Sequence, residues 1–304
     1  MGHPLRFQAM ILPNLEWAQL LGRFQHVEDL GFDLAATGDH FCDWTNPPSP
    51  WFEMWGVLAG VAQATERIRI TPSVAQIPLR NPAMFTRQAL TVDHISGGRL
   101  EIGLGLGLPI DPSYDMMGIE NWSNPKRVAH FNEYFEIVDR LLRNEELTFD
   151  GEHYRVDGAT MRPRSPQDPR PPITIAALGP IMVSKAAAMA DNWNTMSFAA
   201  TFGEQLAETR ERIAHAHAQC EAIGRDPSTL RISYNMFDPA SRASGGRISY
   251  YESPEAFVDQ VGQLRELGIS EFGMYYPMLD EQLPVFEDIA RTVFPALRND
   301  DPAT

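Results

Sequence analysis

Two rhythms of apolar and polar residues run through this chain. Short β-type runs stand at 5–12 (LRFQAMIL), 32–38 (FDLAATG), 67–75 (RIRITPSVA) and 99–106 (RLEIGLGL), and again at 172–178 (PITIAAL), 192–197 (NWNTMS), 230–237 (LRISYNMF) and 269–276 (ISEFGMYY). Between them lie stretches of helical period. In EWAQLLGRFQHVEDLG, at 16–31, Trp17, Leu20, Leu21, Phe24 and Val27 fall on one face, and Gly31 closes the segment. The same pattern predicts helices over 82–96, 126–143, 180–190, 203–223 and 254–267. Eight strands alternating with helices predict a parallel sheet covered on both faces. Eight is also the number that closes a TIM barrel, so the predicted fold class is α/β, a (β/α)8 barrel.

One insertion, at 145–171, interrupts the alternation. LTFDGEHYRVDG (147–158) predicts a β-hairpin turning at Asp150-Gly151. The Pro- and Arg-rich MRPRSPQDPRPP (161–172) then reads as a surface loop, because the alternation resumes at once. A length of 304 residues suits two domains or one α/β barrel, and the unbroken alternation favours a single domain over 1–304.

Composition narrows the partners. The net charge is -15, which argues against nucleic acid and anionic membrane, since phosphate surfaces select Lys and Arg. The N-terminus lacks an apolar core of signal-peptide length and no apolar run is long enough to span a bilayer, so a cytoplasmic location is expected. Cys42 and Cys220 stand far apart without a CxxC, which fits a reducing compartment. His215 and His217 point to different helix faces, and neither HEXXH nor GxSxG occurs. No metal site is expected.

The glycines of GRLEIGLGLGLP (98–109) follow GxGxG, with Leu108 at the sixth position and no helix until about residue 126. A dinucleotide fingerprint needs GxGxxG opening directly into a helix, so that reading fails. A period of two puts Gly103, Gly105 and Gly107 on one strand face, where a flat ligand or another backbone can approach, or where small residues fit the barrel's taper.

In a TIM barrel the chemistry gathers where strands end. The second predicted strand ends in Asp39 and His40, and His40 is the natural acid/base there. Apart from the barrel context, the pair reads as a structural His–carboxylate contact. Phe41, Trp44, Phe198 and Tyr234 are candidates for an apolar pocket wall, or for plain core. Leu178-Gly179-Pro180 before a predicted helix reads as an anion seat or as ordinary capping.

Taken together, GFDLAATGDHF (31–41), the long block at 67–107, DGEHYRV (150–156) and PITIAALGPIMVSKAAAMADNWNT (172–195) resemble the bacterial-luciferase-like monooxygenase superfamily of TIM barrels. The Asp-His pair resembles the branch that uses the deazaflavin coenzyme F420. That resemblance implies an oxidoreductase moving a hydride between F420 and a small or mid-sized organic substrate. It implies His40 as catalytic acid/base, with Asp39 catalytic and in contact with the coenzyme. It further implies Ser73 and Val74, often joined by a cis peptide, beneath the ring, and Gly105, Gly107 and Asp111 beside the coenzyme. Ala176, Ala177, Leu178, Gly179 and Pro180 would seat its phosphate. Phe41, Trp44, Leu108, Phe198 and Tyr234 would form the substrate pocket.

Two departures bear on the substrate. Leu108 stands where the sugar-phosphate enzymes of the branch carry an acidic Glu, and Phe198 stands where they carry a phosphate-binding Lys. The resemblance therefore implies an apolar pocket, and leaves the missing acid to Asp111 or Tyr114. The alternatives are a two-component monooxygenase using reduced FMN with a separate reductase, and a coenzyme-binding barrel without turnover. A homodimer is the assembly often found in the family.

Overall fold

The computed structural model describes residues 2–238, 241 and 245–301. In chain order the elements are β1 (Arg6–Met10), α1 (Trp17–Asp29), β2 (Leu34–Thr37), α2 (Met54–Ala64), β3 (Arg69–Pro72), β4 (Ala75–Gln76), α3 (Pro82–Ile95), β5 (Ile102–Gly105), α4 (Ser113–Met117) and α5 (Asn124–Leu142). Then follow β6 (Leu147–Asp150), β7 (Arg155–Ala159), β8 (Ile173–Ala176), α6 (Pro180–Met189), β9 (Asn192–Thr195), α7 (Phe202–Ala222), β10 (Arg231–Asn235), α8 (Pro254–Arg265) and β11 (Glu271–Tyr275).

Among the described residues, nine strands form one sheet in the order β3-β2-β1-β11-β10-β9-β8-β5-β4. A bridge between Ile70 and Leu100 returns the order to its start. The pairs β1–β11, β11–β10, β10–β9, β9–β8 and β5–β4 are parallel. This is the strand order of a (β/α)8 barrel, the predicted fold class. All eight predicted strands are present. The third is broken at the cis Ser73-Val74 peptide, and its continuation is β4.

The chain divides into two compact units. The first is built from Met1–Ile11, His26–Ala35 and Thr174–Thr304, the second from Leu12–Gln25 and Ala36–Ile173. In the first, Phe7 stacks on Phe294 at 3.8 Å, and Phe32 meets Phe294 edge-on at 4.9 Å. These aromatics are buried and anchor the apolar core. Strands β8 to β11 carry a polar set, in which the Asn192 amide donates to Thr174, Ser233 and Glu271 at 3.2–3.3 Å. Arg6 pairs with Glu271 at 2.6 Å and neutralises that buried carboxylate.

In the second unit, α3 and α5 pack with the hairpin β6–β7 through Leu90, Ile137, Leu141, Leu147, Val156 and Met161. The hairpin loop has four residues where the sequence suggests two. Asp150 pairs with Arg155, and the Gly151 amide donates to the Tyr154 carbonyl, so Gly151 to Tyr154 form the turn.

Helix α2 is absent from the sequence-based expectation. Its segment is apolar on most sides, so it lacks the one-sided pattern that marks the other helices. Glu53 caps its start by accepting from the Gly56 amide at 2.7 Å. Arg99 binds the carbonyls of Ala62, Thr65 and Ile68 at its other end, at 2.7–2.9 Å.

Candidate active site

The second unit gathers most of the sequence-derived site residues. Loop residues after β2 carry Asp39 and His40. Strand β4 brings Gln76 beside them, and the turn after β5 brings Asp111. His40 Nδ1 lies 2.6 Å from Asp111 Oδ2, and its side chain is 17% exposed while that of Asp111 is fully buried. His40 Nε2 has no hydrogen-bond partner among the described residues. The imidazole stands 6.4 Å from the near-parallel Trp44 ring and 5.8 Å from the edge-on Trp51 ring. The aromatic pair limits how far His40 can turn.

Asp111 is held from three sides. Besides His40, the Gln76 amide donates to its Oδ2 at 2.9 Å and the Ser113 backbone to its Oδ1 at 2.9 Å. Burial alone would push its carboxyl pKa up. The hydrogen bonds from His40, Gln76 and Ser113 outweigh burial and lower it to about 2. Asp111 is therefore a carboxylate near neutral pH.

Gln76 connects this pair to a deeper group. Its Nε2 also donates to the Asp39 carbonyl at 2.5 Å, and its Oε1 accepts from the Tyr114 hydroxyl. Arg127 Nη1 donates to the same hydroxyl at 3.1 Å and to the Leu106 carbonyl at 2.7 Å. Arg127 Nη2 reaches Asn121 at 2.7 Å. Both Arg127 and Tyr114 are fully buried. Burial pushes the Tyr114 phenol up, so it stays protonated as a donor.

Asp39 is engaged elsewhere. Its Oδ2 accepts from Arg80 at 2.5 Å and from the Gln76 backbone at 3.0 Å, and its side chain is almost wholly buried. Arg80 also pairs with Glu53 at 2.8 Å. The structure thus places Asp39 as an internal anchor under the His40 loop.

The glycine strand has packing partners inside the protein. A side chain at Gly103 would collide with the Pro72 carbonyl and approach Val74 Cγ1 to 2.9 Å. At Gly107, with φ +75°, it would collide with the Tyr114 hydroxyl and Gln76 Oε1 and come within 2.9 Å of Arg127 Nη1. These two glycines admit protein neighbours. Gly105 lies opposite Gln76 in the β4–β5 pairing.

Phe41 is 56% exposed, and its amide donates to Ser113 Oγ at 3.0 Å. Leu108 is half-buried in the turn after β5. The remaining candidates lie in the first unit. Ala176 ends β8, Ala177 is buried, and Leu178 leads to Gly179, which starts α6 without a side-chain cap. Pro180 fills the first helical position. Phe198 is 51% exposed and meets Phe237 edge-on at 5.1 Å. Tyr234 is buried, donates to Gln205 at 3.3 Å, and lines a cavity of about 180 Å³ with Phe202, Met236 and Tyr250.

Sequence reasoning placed Gln76 at the end of the third strand without a role, and overlooked Arg80, Trp51 and Arg127. One signal was available: Arg80 is the only charge in the run AQIPLRNPAMF. Among the described residues no group of three or more His, Cys, Asp or Glu is placed to hold a metal ion, and no helix is long and apolar enough to cross a membrane.

Comparison with known proteins places this geometry in context. The sequence model of a family described as luciferase-like monooxygenase matches residues 2–244. An F420-dependent glucose-6-phosphate dehydrogenase of Intrasporangium calvum is 24% identical over 92% of this chain and 95% of its own length. A Mycobacterium tuberculosis protein named for coenzyme F420-dependent oxidoreduction is 33% identical over 55% of this chain, and the chain spans 48% of that protein. A 5,10-methylenetetrahydromethanopterin reductase of Archaeoglobus fulgidus is 28% identical over 62% of this chain and 52% of its own length. In fold, the chain matches the coenzyme F420-dependent tetrahydromethanopterin reductase of Methanopyrus kandleri with a TM-score of 0.78, at 18% identity over 97% of this chain and 99% of that one. A long-chain alkane monooxygenase matches with a TM-score of 0.76, at 15% identity over 99% of this chain and 92% of that one.

Proposed function

The chain belongs to the luciferase-like monooxygenase family, and on that premise we propose that it is a coenzyme F420-dependent oxidoreductase acting on a small or mid-sized, uncharged organic substrate. The observation that carries this reading is the His40–Asp111 contact of 2.6 Å, which sets a half-buried imidazole on a buried carboxylate. Relatives named for F420 chemistry in Mycobacterium tuberculosis and Intrasporangium calvum support the choice of coenzyme.

The residues present fit such a ring. Trp51 Nε1 and Thr37 Oγ1, in the same unit as His40, are buried polar atoms without a partner among the described residues. Ser73 and Val74 would hold the ring. The first unit has its own candidate anion seat at Gly179-Pro180, where a side chain at Gly179 would meet nothing within 4 Å. When bound, F420 supplies two-electron hydride exchange. The protein contributes position and proton transfer.

His40 gives or takes the substrate proton at Nε2. Trp44 and Trp51 keep the imidazole in place. Two arginines tied into this hydrogen-bonded group are engaged, Arg80 with Asp39 and Glu53, and Arg127 with Leu106, Tyr114 and Asn121. Neither offers a seat for a substrate phosphate. With Leu108 and Phe41 nearby, this favours an uncharged substrate.

The test is His40→Ala. It abolishes hydride exchange and leaves F420 affinity within about threefold. Full turnover in that variant contradicts the assignment.

A further inference from the structure

We infer that Asp111, steered by Gln76, is a positioning residue that fixes His40 as the Nδ1–H tautomer and so leaves Nε2 as a proton acceptor. The inference rests on the reading of His40 as the acid/base, but its geometry stands apart from any coenzyme.

The argument is a count of hydrogens. The Gln76 amide nitrogen has two, and three acceptors surround it: the Asp39 carbonyl at 2.5 Å, Asp111 Oδ2 at 2.9 Å and His40 Nδ1 at 3.1 Å. The amide cannot be turned over. Its oxygen is fixed by the Tyr114 hydroxyl, which is itself met by Arg127. The two shorter contacts take both hydrogens. Nδ1 of His40 is then left facing Asp111 Oδ2 at 2.6 Å. A lone pair there would oppose an ionised carboxylate, so Nδ1 must carry the hydrogen and donate it. In the neutral ring the lone pair then sits on Nε2. When a substrate hydroxyl ionises, its O–H bond breaks, the proton joins Nε2, and the bonding pair stays on oxygen. Asp111 balances the imidazolium that results.

Removing Asp111 reverses the arrangement. One Gln76 hydrogen is then released from Oδ2 and can reach Nδ1, which becomes an acceptor and sends the ring hydrogen to Nε2. Asp111→Ala tests this directly. Asp111→Asn, which turns an acceptor into a donor at the same place, is the second variant and preserves volume.

The experiment is nitrogen NMR of the full chain labelled at histidine, without coenzyme, at a pH where His40 is neutral; His40→Gln identifies its signals. In the wild type the Nε2 signal is expected in the unprotonated range and Nδ1 in the protonated range. In Asp111→Asn and Asp111→Ala the two are expected to exchange. A wild-type ring protonated at Nε2 overturns the inference, and so does a folded variant that keeps Nδ1–H. Loss of turnover in these variants is expected at about 10³-fold or more, by analogy with other His–carboxylate pairs. Failure to bind F420 would count against the functional reading and leave the tautomer result as it is.

Discussion

His40 and Asp111 are 71 residues apart in sequence and 2.6 Å apart in space. One stands after the second strand and the other after the glycine strand. Their contact sets the imidazole against a buried carboxylate, and several consequences can be measured.

The first is a pH-dependent stability. The Asp111 carboxyl lies at about 2 in the folded chain, below its usual 3.8. A carboxyl lowered on folding contributes stability that is fully present above about pH 4 and is lost as pH falls through about 2. The gap corresponds to about 2 kcal/mol. Thermal unfolding of wild type and Asp111→Asn should therefore differ most above pH 4 and converge towards pH 2. A constant difference across that range would separate Asp111 from this role.

The glycines give a graded series. Gly103→Ala forces a methyl group onto the Pro72 carbonyl, which is backbone and cannot swing away. Gly107→Ala adds strain at φ +75° and presses on Tyr114 and Gln76. Each should cost roughly 2 kcal/mol or more. Gly179→Ala meets nothing within 4 Å and should leave the melting temperature almost unchanged. Denaturant titration of the three variants checks the ranking.

Arg80→Leu removes the partner of a buried carboxylate. Asp39 has only 1% of its side chain exposed, so the charge left behind has little access to water. A loss of about 3 kcal/mol is expected. Because Asp39 supports the His40 loop, hydride exchange should fall with it. A variant as stable as the wild type would show that the pair is dispensable.

Tyr114→Phe probes the far end of the hydrogen-bonded group. It deletes the hydroxyl that holds the Gln76 oxygen and leaves one Arg127 contact unmet. The cost should be about 1–3 kcal/mol in stability. Turnover should drop severalfold with little change in KM, since no substrate contact is lost. A change in KM alone would place Tyr114 against the substrate instead.

The eight strands were legible because alternation and length speak for themselves in RIRITPSV or LRISYNMF. His40 was legible as the titratable residue at a strand end. Helix α2 was hidden, since WGVLAGVAQA has no polar face to mark its period; its Gly60 packs closely against Trp17. Arg127 was hidden for the opposite reason. A charged residue in an amphipathic helix reads as surface, yet its side chain is fully buried among carbonyls and Tyr114. The Asp111–Gln76–His40 arrangement depends on three turns meeting in space, and no local pattern encodes that. The purpose of Gly103 and Gly107 also needed their neighbours, because the period of two places them on a face without saying what lies against it.

The most direct test of the central claim is a binding titration of the full chain with F420 and with FMN, followed by fluorescence. Saturable binding of F420, at least tenfold tighter than FMN, is the predicted result. Tight binding of FMN with no measurable affinity for F420 would contradict it and make the chain a flavin-dependent enzyme that needs a reductase.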